Sequence, residues 1–269
     1  MAVCGLVLVA AIALAVRWRR YAFTAFLETV DTPAARFRSL LRLWTVGALT
    51  GLVVGTLVVG PGGRLAMRLL AATSPDAQGL ETDADEVVGK ITLTGTVGFV
   101  LFVGIFFGLA VGLIYVLVAR AFPHGLLGGA LYGATLLVVF SWWLDPLRAD
   151  NKDFDILVPG WLSVATFIVI GLLTGAVTAP VAGRIGAVVR EPKLWWVVWL
   201  APLGLLTLGA LANLPPVLGV LVVASVLYLL MPDAGAVVRR RGRLVLQVLV
   251  GVAVLVTLPG FFSAVVDIA

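Results

Sequence analysis

Two arginines are the residues of this sequence best suited to bind an anionic group. Arg64 and Arg68 lie four positions apart in the stretch 60–90, so a helix would carry both guanidinium groups on one face. Guanidinium groups donate paired hydrogen bonds to phosphate and carboxylate oxygens. We therefore expect Arg64 and Arg68 to contact an anion such as a lipid headgroup. The alternative, which the abundance of acids nearby favours, is ion pairing with Glu81, Asp83, Glu86 or Asp145.

Acidic residues form a second candidate site in two polar stretches, 61–90 and 145–155. Its members are Glu81, Asp83, Asp85, Glu86, Asp145, Asp150, Asp153 and Asp155. Several side-chain oxygens between 150 and 155 are of the kind that Ca²⁺ accepts, but the run lacks the glycine and the final glutamate of an EF-hand loop. A solvated turn is therefore favoured over a calcium site, and we expect neither a bound metal nor a cofactor.

Groups suited to nucleophilic or metal catalysis are scarce. Cys4 is the single cysteine and His124 the single histidine, so neither a cysteine-based metal cluster nor a catalytic triad is indicated. The apolar runs also lack the carboxylates, histidines and lysines that proton-coupled pumps and intramembrane proteases place at depth. An enzyme is consequently less favoured than a non-catalytic protein.

Long apolar segments surround the polar stretches. Hydrophobic residues make up 61% of the 269 positions and charged residues 12%, about half the share in a soluble domain. Runs without any charged residue or histidine are 43–60, 91–119, 126–144, 156–183, 194–232 and 244–266. Several approach or exceed the roughly 20 residues that cross the hydrocarbon of a bilayer. An Asn-Leu-Pro-Pro sequence at 213–216 divides the longest run into two, and 2–16 adds a short run at the amino terminus.

These runs predict an all-α integral membrane protein with about eight transmembrane helices in one polytopic domain, residues 1–269. Arginine and lysine concentrate in alternate connectors, which by the positive-inside bias lie in the cytosol, whereas most acids occupy the other set. Both termini are then expected on the extracytoplasmic side. The basic residues flank membrane spans rather than a soluble face, so membrane lipids are expected partners and nucleic acid is not.

Local signals predict the bounds of the first outer loop. Pro61 and the glycines after it are expected to end the second span, so that Arg64 and Arg68 belong to a separate short helix. Thr82 with acids after it resembles an amino-terminal helix cap. The third helix is therefore expected to begin near Asp83.

Glycines at four-residue spacing are the packing signal inside the predicted helices. Such a ladder forms a groove along which a neighbouring backbone can approach closely. The ladders are Gly47, Gly51 and Gly55; Gly104, Gly108 and Gly112; Gly125, Gly129 and Gly133; and Gly171 and Gly175. Similar glycine motifs recur in 43–120 and 125–184, which favours two parallel hairpin repeats. We expect helices two to five to form the tightly packed centre.

These features favour a non-catalytic, multi-pass protein of the cell membrane that acts by binding. It would serve as a subunit, accessory or sensor in a membrane assembly, through extracytoplasmic loops 61–90 and 145–155. The expected partner is another membrane protein or a second copy of this chain.

Two alternatives remain open. A carrier or channel for a neutral or lipid-like solute would use hydroxyl groups and proline kinks instead of charges. A lipid-modifying enzyme at the outer surface, with loop carboxylates as acid and base, ranks third. A polar cavity lined by hydroxyls would favour transport, and a dry, glycine-packed centre would favour binding. The hydroxyls concerned are those of Thr174, Thr178, Tyr115 and Tyr132.

Overall fold

The structure is a computed structural model in which the described residues are 2–23, 32–83, 87–90, 92–189 and 234–269. In this part of the chain the regular structure is helical, apart from one isolated β-bridge between Glu81 and Val87. The sixth and seventh predicted spans, in 194–232, lie outside the described residues.

The helices follow the apolar runs of the sequence. They are α1 (Ala2–Trp18), α2 (Pro33–Val54), α3 (Gly60–Thr73), α4 (Leu93–Phe99), α5 (Ile105–Val118), α6 (Gly125–Phe140), α7 (Asp153–Ile156), α8 (Gly160–Val188) and α9 (Ala234–Ile268). A π-helical turn, Gly55–Val59, joins α2 to α3, and a second, Val100–Gly104, joins α4 to α5. Single 3-10 turns, Pro75–Ala77 and Ala119–Ala121, follow α3 and α5.

Four continuous helices among the described residues are long and apolar enough to cross a membrane. They are Pro33–Thr73, Leu93–Ala121, Gly160–Val188 and Gly242–Ile268. The apolar helices Ala2–Trp18 and Gly125–Phe140 are shorter. Length and composition together fit an all-α, membrane-embedded protein.

The second predicted span does not end at Pro61, contrary to expectation. In the π-helical turn the Gly60 amide donates to the Gly55 carbonyl, five residues back, and Pro61 falls in the first turn of α3. A proline there removes no needed hydrogen bond, because its missing N–H lies where the helical pattern is already shifted. The helix continues to Thr73, so the first connector of this end begins at Ser74.

The third span begins at Leu93 rather than near Asp83. Thr92 supplies the cap, its hydroxyl oxygen accepting a hydrogen bond from the Gly95 amide at 3.0 Å. The preceding residues include Gly89 with φ of 85°, a left-handed conformation that a continuous helix does not contain. The predicted cap at residue 82 is therefore wrong by ten positions in the chain.

The four helices α2, α5, α6 and α8 form two antiparallel hairpins that pack against each other. The first pairs α2 with α5, and the second pairs α6 with α8. A buried cluster between the hairpins includes Val46, Tyr115, Tyr132, Ala179 and Ala182. The predicted second to fifth spans thus make up the centre of the described fold.

The remaining long helices pack outside the two hairpins. On α1, Ala11 and Ala15 are buried against Val54 and Val177. The small alanine side chains let α1 approach both hairpins at once. On α9, Ile268 belongs to a cluster formed with residues of the second hairpin and its connector.

The ends of the bundle carry opposite charge. At the arginine end, Arg42 of α2 donates from Nε to the Val189 carbonyl at 2.7 Å, which satisfies a terminal carbonyl of α8. Arg184 lies over an aromatic ring of the segment after α1, 5.2 Å from its centroid. The opposite, acidic end is formed by residues 74–83 and 145–160. The two ends separate the arginine-rich connectors from the acidic ones.

Candidate functional site

Ser74 joins the two connectors of the acidic end. Its hydroxyl donates to the Val158 carbonyl at 2.8 Å and accepts from the Val158 amide at 2.9 Å. The serine is buried, so its hydroxyl would be unsatisfied without these partners. Ser74 directly follows α3 and Val158 lies just before α8. The hydrogen bonds therefore fix the acidic end of one hairpin to the acidic end of the other.

Arg148 is the centre of a charged cluster beside this junction. Its Nη2 lies 3.1 Å from Asp83 Oδ2 and its Nε 2.7 Å from Asp150 Oδ1. Asp153 adds a further link, because its Oδ1 accepts a hydrogen bond from the Asp83 amide at 2.8 Å. The cluster brings together two connectors that are 65 residues apart in the chain. We call residues 74–83 and 145–158 the connector face.

The ion pairs of the connector face are weak individually. The side chains of Arg148 and Asp83 are 33% and 37% exposed, so water screens their attraction. Exposed pairs of this kind contribute between zero and about 1 kcal/mol. The Arg148 cluster therefore sets the shape and charge of the connector face more than it stabilises the fold.

Asp145 has an altered acidity. Partial desolvation among the connector residues raises the pKa of Asp145 above its usual value, and the carboxylates of Asp83, Asp153 and Asp150 add to the shift. Arg148 opposes it. The shift means that the folded connector face disfavours the ionised form of Asp145.

The structure assembles the predicted acidic site in part. Asp83, Asp150 and Asp153 meet at Arg148, and Asp145 lies within their electrostatic influence. The other members are exposed, as Glu81 and Asp155 are, or outside the described residues, as Asp85 and Glu86 are. Within the described residues no three acidic, histidine or cysteine side chains are grouped so that they could hold a metal ion.

Arg64 lies on α3 against the start of the third span. Its Nη2 donates to Thr96 Oγ1 at 3.2 Å, and its guanidinium carbon is 5.6 Å from the centroid of the Phe99 ring. Arg68, one turn further along α3, is exposed. Neither arginine forms an ion pair in the described part of the chain. The connector acids Asp83 and Asp150 pair with Arg148 instead. The alternative, in which Arg64 and Arg68 pair with nearby acids, is therefore not observed among the described residues.

The first hairpin is packed backbone to backbone at its glycines. A methyl group at Gly51 would lie 2.6 Å from Leu109 Cα, and one at Gly112 would lie 2.7 Å from Gly51 Cα. A methyl group at Gly104 would lie 2.7 Å from the Gly55 carbonyl oxygen. All three distances are shorter than a normal carbon contact of about 3.5 Å. These glycines are therefore required by close approach, because any side chain would force the helices apart.

The contact extends along the full length of both ladders. The facing residues are Gly47, Gly51 and Gly55 on one side and Gly104, Gly108 and Gly112 on the other. In the antiparallel arrangement each step of four residues along one helix is matched by a step of four along its partner. The spacing of the glycines thus sets the register of the hairpin.

The second hairpin repeats this packing over a shorter length. A methyl group at Gly175 would lie 2.6 Å from Gly133 Cα, and one at Gly129 would lie 2.9 Å from the Cα atom of residue 176. Gly171 faces Gly133 across the same interface. Gly125 departs from the predicted ladder: it begins α6 with φ of 84°, and within 4 Å of its missing side chain lies only one carbonyl oxygen. Its role is a left-handed turn.

Two hydroxyl groups in the centre donate hydrogen bonds to backbone carbonyls. Thr178 donates to the Thr174 carbonyl of its own helix at 2.7 Å, and Tyr132 donates to the Val111 carbonyl at 2.6 Å. The Tyr115 and Tyr132 rings pack edge to face with their centroids 5.1 Å apart. Thr174, Thr178, Tyr115 and Tyr132 are all buried.

Three residues with clear roles in the structure carried little signal in the sequence. Arg148 is one basic residue in an acidic run, and Ser74 precedes a proline as many turn residues do. Arg42 is one of several arginines that precede the apolar run 43–60. A lone arginine among acids is a signal that could have identified Arg148, whereas nothing in the sequence links the partners of Ser74 or Arg42.

Comparison of the chain with protein-family models, with curated proteins and with solved structures found no match. The function proposed for it depends on its own geometry.

Proposed function

We propose that this chain is a non-catalytic, multi-pass protein of the cell membrane that acts by binding. It serves as a subunit, accessory or sensor of a membrane assembly. The connector face is its binding surface, and its partner is another membrane protein or a second copy of the chain. This role needs a rigid surface at a membrane boundary and no reactive group.

The observation that carries the proposal is the contrast between a closed centre and a charged connector face. Glycine contacts and backbone-bound hydroxyls fill the hairpins in the described residues, which leaves little provision for a solute path there. Charged groups are instead displayed on the connector face, where Arg148 holds acids from two connectors in fixed positions. Fixed surface charges of this kind give a partner specificity and a faster encounter.

The full topology is part of the same proposal. Six of the eight predicted spans coincide with described apolar helices, and the other two occupy 194–232. With eight spans, the arginine end lies in the cytosol and the acidic end outside, by the positive-inside bias. Both termini then lie outside, and Ile268 beside Gly160 at the acidic end agrees with this arrangement.

Native mass spectrometry of the gently solubilised protein tests the binding role. We expect the wild-type chain to retain a second polypeptide or a second copy. A variant carrying Asp150→Asn and Asp155→Asn changes two exposed charges of the connector face and is expected to lose that partner. The matched control is Arg38→Gln, an exposed charge at the arginine end, which should keep it.

Two results would contradict the binding role. One is a wild-type chain that is monomeric after every gentle extraction. The other is equal partner retention by the connector and control variants. Saturable uptake of a neutral solute by vesicles containing only the purified chain would favour the carrier alternative instead.

A further inference from the structure

The surroundings of Arg64 hold its guanidinium group in one position. Besides its hydrogen bond to Thr96 and its place over Phe99, its Nη1 lies 3.7 Å from Met67 Sδ. A methyl group at Gly63 would lie 2.8 Å from the Phe99 ring, so the ring is close to the α3 backbone as well. The long arginine side chain is thus ordered before any ligand arrives, which lowers the entropic cost of binding.

Among the described residues, no carboxylate forms an ion pair with Arg64. Thr96 is neutral, and in the described part of the chain the buried Nε of Arg64 has no hydrogen-bond partner. Arg68 adds a second positive charge one helical turn away and is exposed. A partly buried cation without a carboxylate is costly unless an anion supplies the missing interaction. The pair therefore forms a site for an anion.

The position of Arg64 along its helix places this site at headgroup level. It follows Arg42 of the arginine end by 22 residues, which corresponds to roughly 33 Å of helix. The hydrocarbon layer of a bilayer is about 30 Å thick. With Arg42 at one boundary of the membrane, Arg64 lies at the other.

The span that contacts Arg64 through Thr96 and Phe99 also carries exposed apolar side chains. Val97 and Leu101, on the span that carries Thr96, are 48% and 50% exposed, and Phe102 is 79% exposed. A ligand bound here would have its anionic group at the arginines and its apolar part along these side chains. A free anion or an acidic peptide would leave the apolar surface unused.

We infer that Arg64 and Arg68 bind the phosphate of an anionic phospholipid whose acyl chains lie along Val97, Leu101 and Phe102. The lipid belongs to the leaflet at the acidic end. This site is built from residues of α3 and the third span, whereas the proposed partner surface is built from connector residues. The retained lipid would complete the surface of the first hairpin.

Native mass spectrometry with defined lipids tests the inference on the full chain. Phosphatidylglycerol is titrated against the delipidated wild-type chain and against the double variant Arg64→Gln, Arg68→Gln. Loss of charge-assisted hydrogen bonds should weaken the tightest phosphatidylglycerol site by about tenfold or more. Phosphatidylcholine, which has no net charge, should bind this site much more weakly to the wild-type chain. Inorganic phosphate at equal concentration should not displace the bound lipid.

A control and a milder variant distinguish a local site from general charge. Arg148→Gln removes one positive charge at the same end and should leave the affinity unchanged, because its cluster already neutralises that charge. Arg68→Gln alone changes an exposed side chain, keeps the fold and should weaken binding by about threefold or more.

Three outcomes would overturn the inference. The first is equal phosphatidylglycerol affinity in the wild-type chain and in either the double variant or Arg68→Gln, where that variant retains its helical content. The second is an equal loss of affinity in Arg148→Gln. The third is displacement by phosphate, which would assign the arginines to a free anion.

Discussion

The glycine contacts pack the two helices of each hairpin against each other, whereas the connector face joins one hairpin to the other. Inside, backbones touch where methyl groups would come within 2.6–2.7 Å of neighbouring atoms, so each position tolerates only glycine. At the connector face, exposed ion pairs around Arg148 leave room for other side chains and for water. The comparison teaches that the close glycine contacts of the hairpins contribute more to stability than the exposed ion pairs of the connectors.

Adding a single methyl group to a glycine of the first hairpin should have the largest effect on the free energy of unfolding. In Gly108→Ala the new carbon would lie 2.7 Å from the Gly55 nitrogen, so α2 and α5 must separate. We expect a loss of about 1–3 kcal/mol in the free energy of unfolding. Unfolding in detergent, followed by tryptophan fluorescence, measures it.

Gly98→Ala is the matched control for this prediction. Gly98 lies in the same membrane span as Gly108, but nothing lies within 4 Å of its missing side chain. We expect a change within about 1 kcal/mol, in the stabilising direction, because alanine favours helix over the unfolded chain. Equal destabilisation by both alanines would show that the glycine contacts do not hold the hairpin.

Removal of the Ser74 hydroxyl should have the second largest effect. Ser74→Ala leaves the amide and carbonyl of Val158 without their partner, which costs about 1–3 kcal/mol when such groups are buried. Thr73→Ala is the control, since the Thr73 hydroxyl bonds only to carbonyls of its own helix. The same unfolding assay should show a clear loss of stability for Ser74→Ala and not for Thr73→Ala. Similar unfolding free energies for the two variants would show that the hydrogen bonds between Ser74 and Val158 do not stabilise the fold.

Arg148→Gln should affect stability weakly. The exposed ion pairs contribute at most about 1 kcal/mol, and the difference from the wild-type chain should shrink in high salt. Lys152→Gln, an exposed neighbour without an ion pair in the described residues, serves as the control. A loss as large as that of Gly108→Ala would contradict the contrast between the two regions.

The smallest effect on the free energy of unfolding is expected from Asp145→Asn, and this effect should depend on pH. A raised pKa in the folded state means that stability falls as pH rises from the ordinary carboxyl range through the raised pKa. Asparagine cannot ionise, so the variant should be slightly more stable than the wild-type chain at neutral pH. The difference should disappear at low pH, where Asp145 is protonated in both the folded and the unfolded chain. Unfolding midpoints across a pH series check this, and a difference that grows on acidification would show the opposite shift.

Close packing at the hairpin glycines could be predicted from the sequence, because their spacing places them on one helix face by geometry alone. A four-residue step places Gly47, Gly51 and Gly55 on one helix face regardless of their surroundings. The prediction that the second span ends at Pro61 was wrong for an equally local reason. A proline usually ends a helix, and the sequence does not reveal the π-helical turn that accommodates this one. Gly125 shares the ladder spacing but adopts a turn conformation, which spacing alone does not distinguish.

Which acids and bases form ion pairs at the acidic end could not be predicted from the sequence. Several acids lie near several bases, and exposed pairs differ from one another by less than about 1 kcal/mol. The choice of Arg148 over Arg64 depends on where the connectors are fixed by Ser74 and by the start of the third span. The Ser74 junction depends on contacts between residues far apart in the chain, which leave no local pattern.

Labelling of single cysteines in intact cells tests most directly whether the connector face is an outer binding surface. In a Cys4→Ala background, Asp155→Cys places a thiol at an exposed position of the connector face, and Arg38→Cys places one at an exposed position of the arginine end. We predict that a membrane-impermeant maleimide labels residue 155 in intact cells and residue 38 only after permeabilisation. Labelling of residue 38, with residue 155 protected until the membrane is opened, would contradict the proposed orientation and the binding role assigned to the connector face.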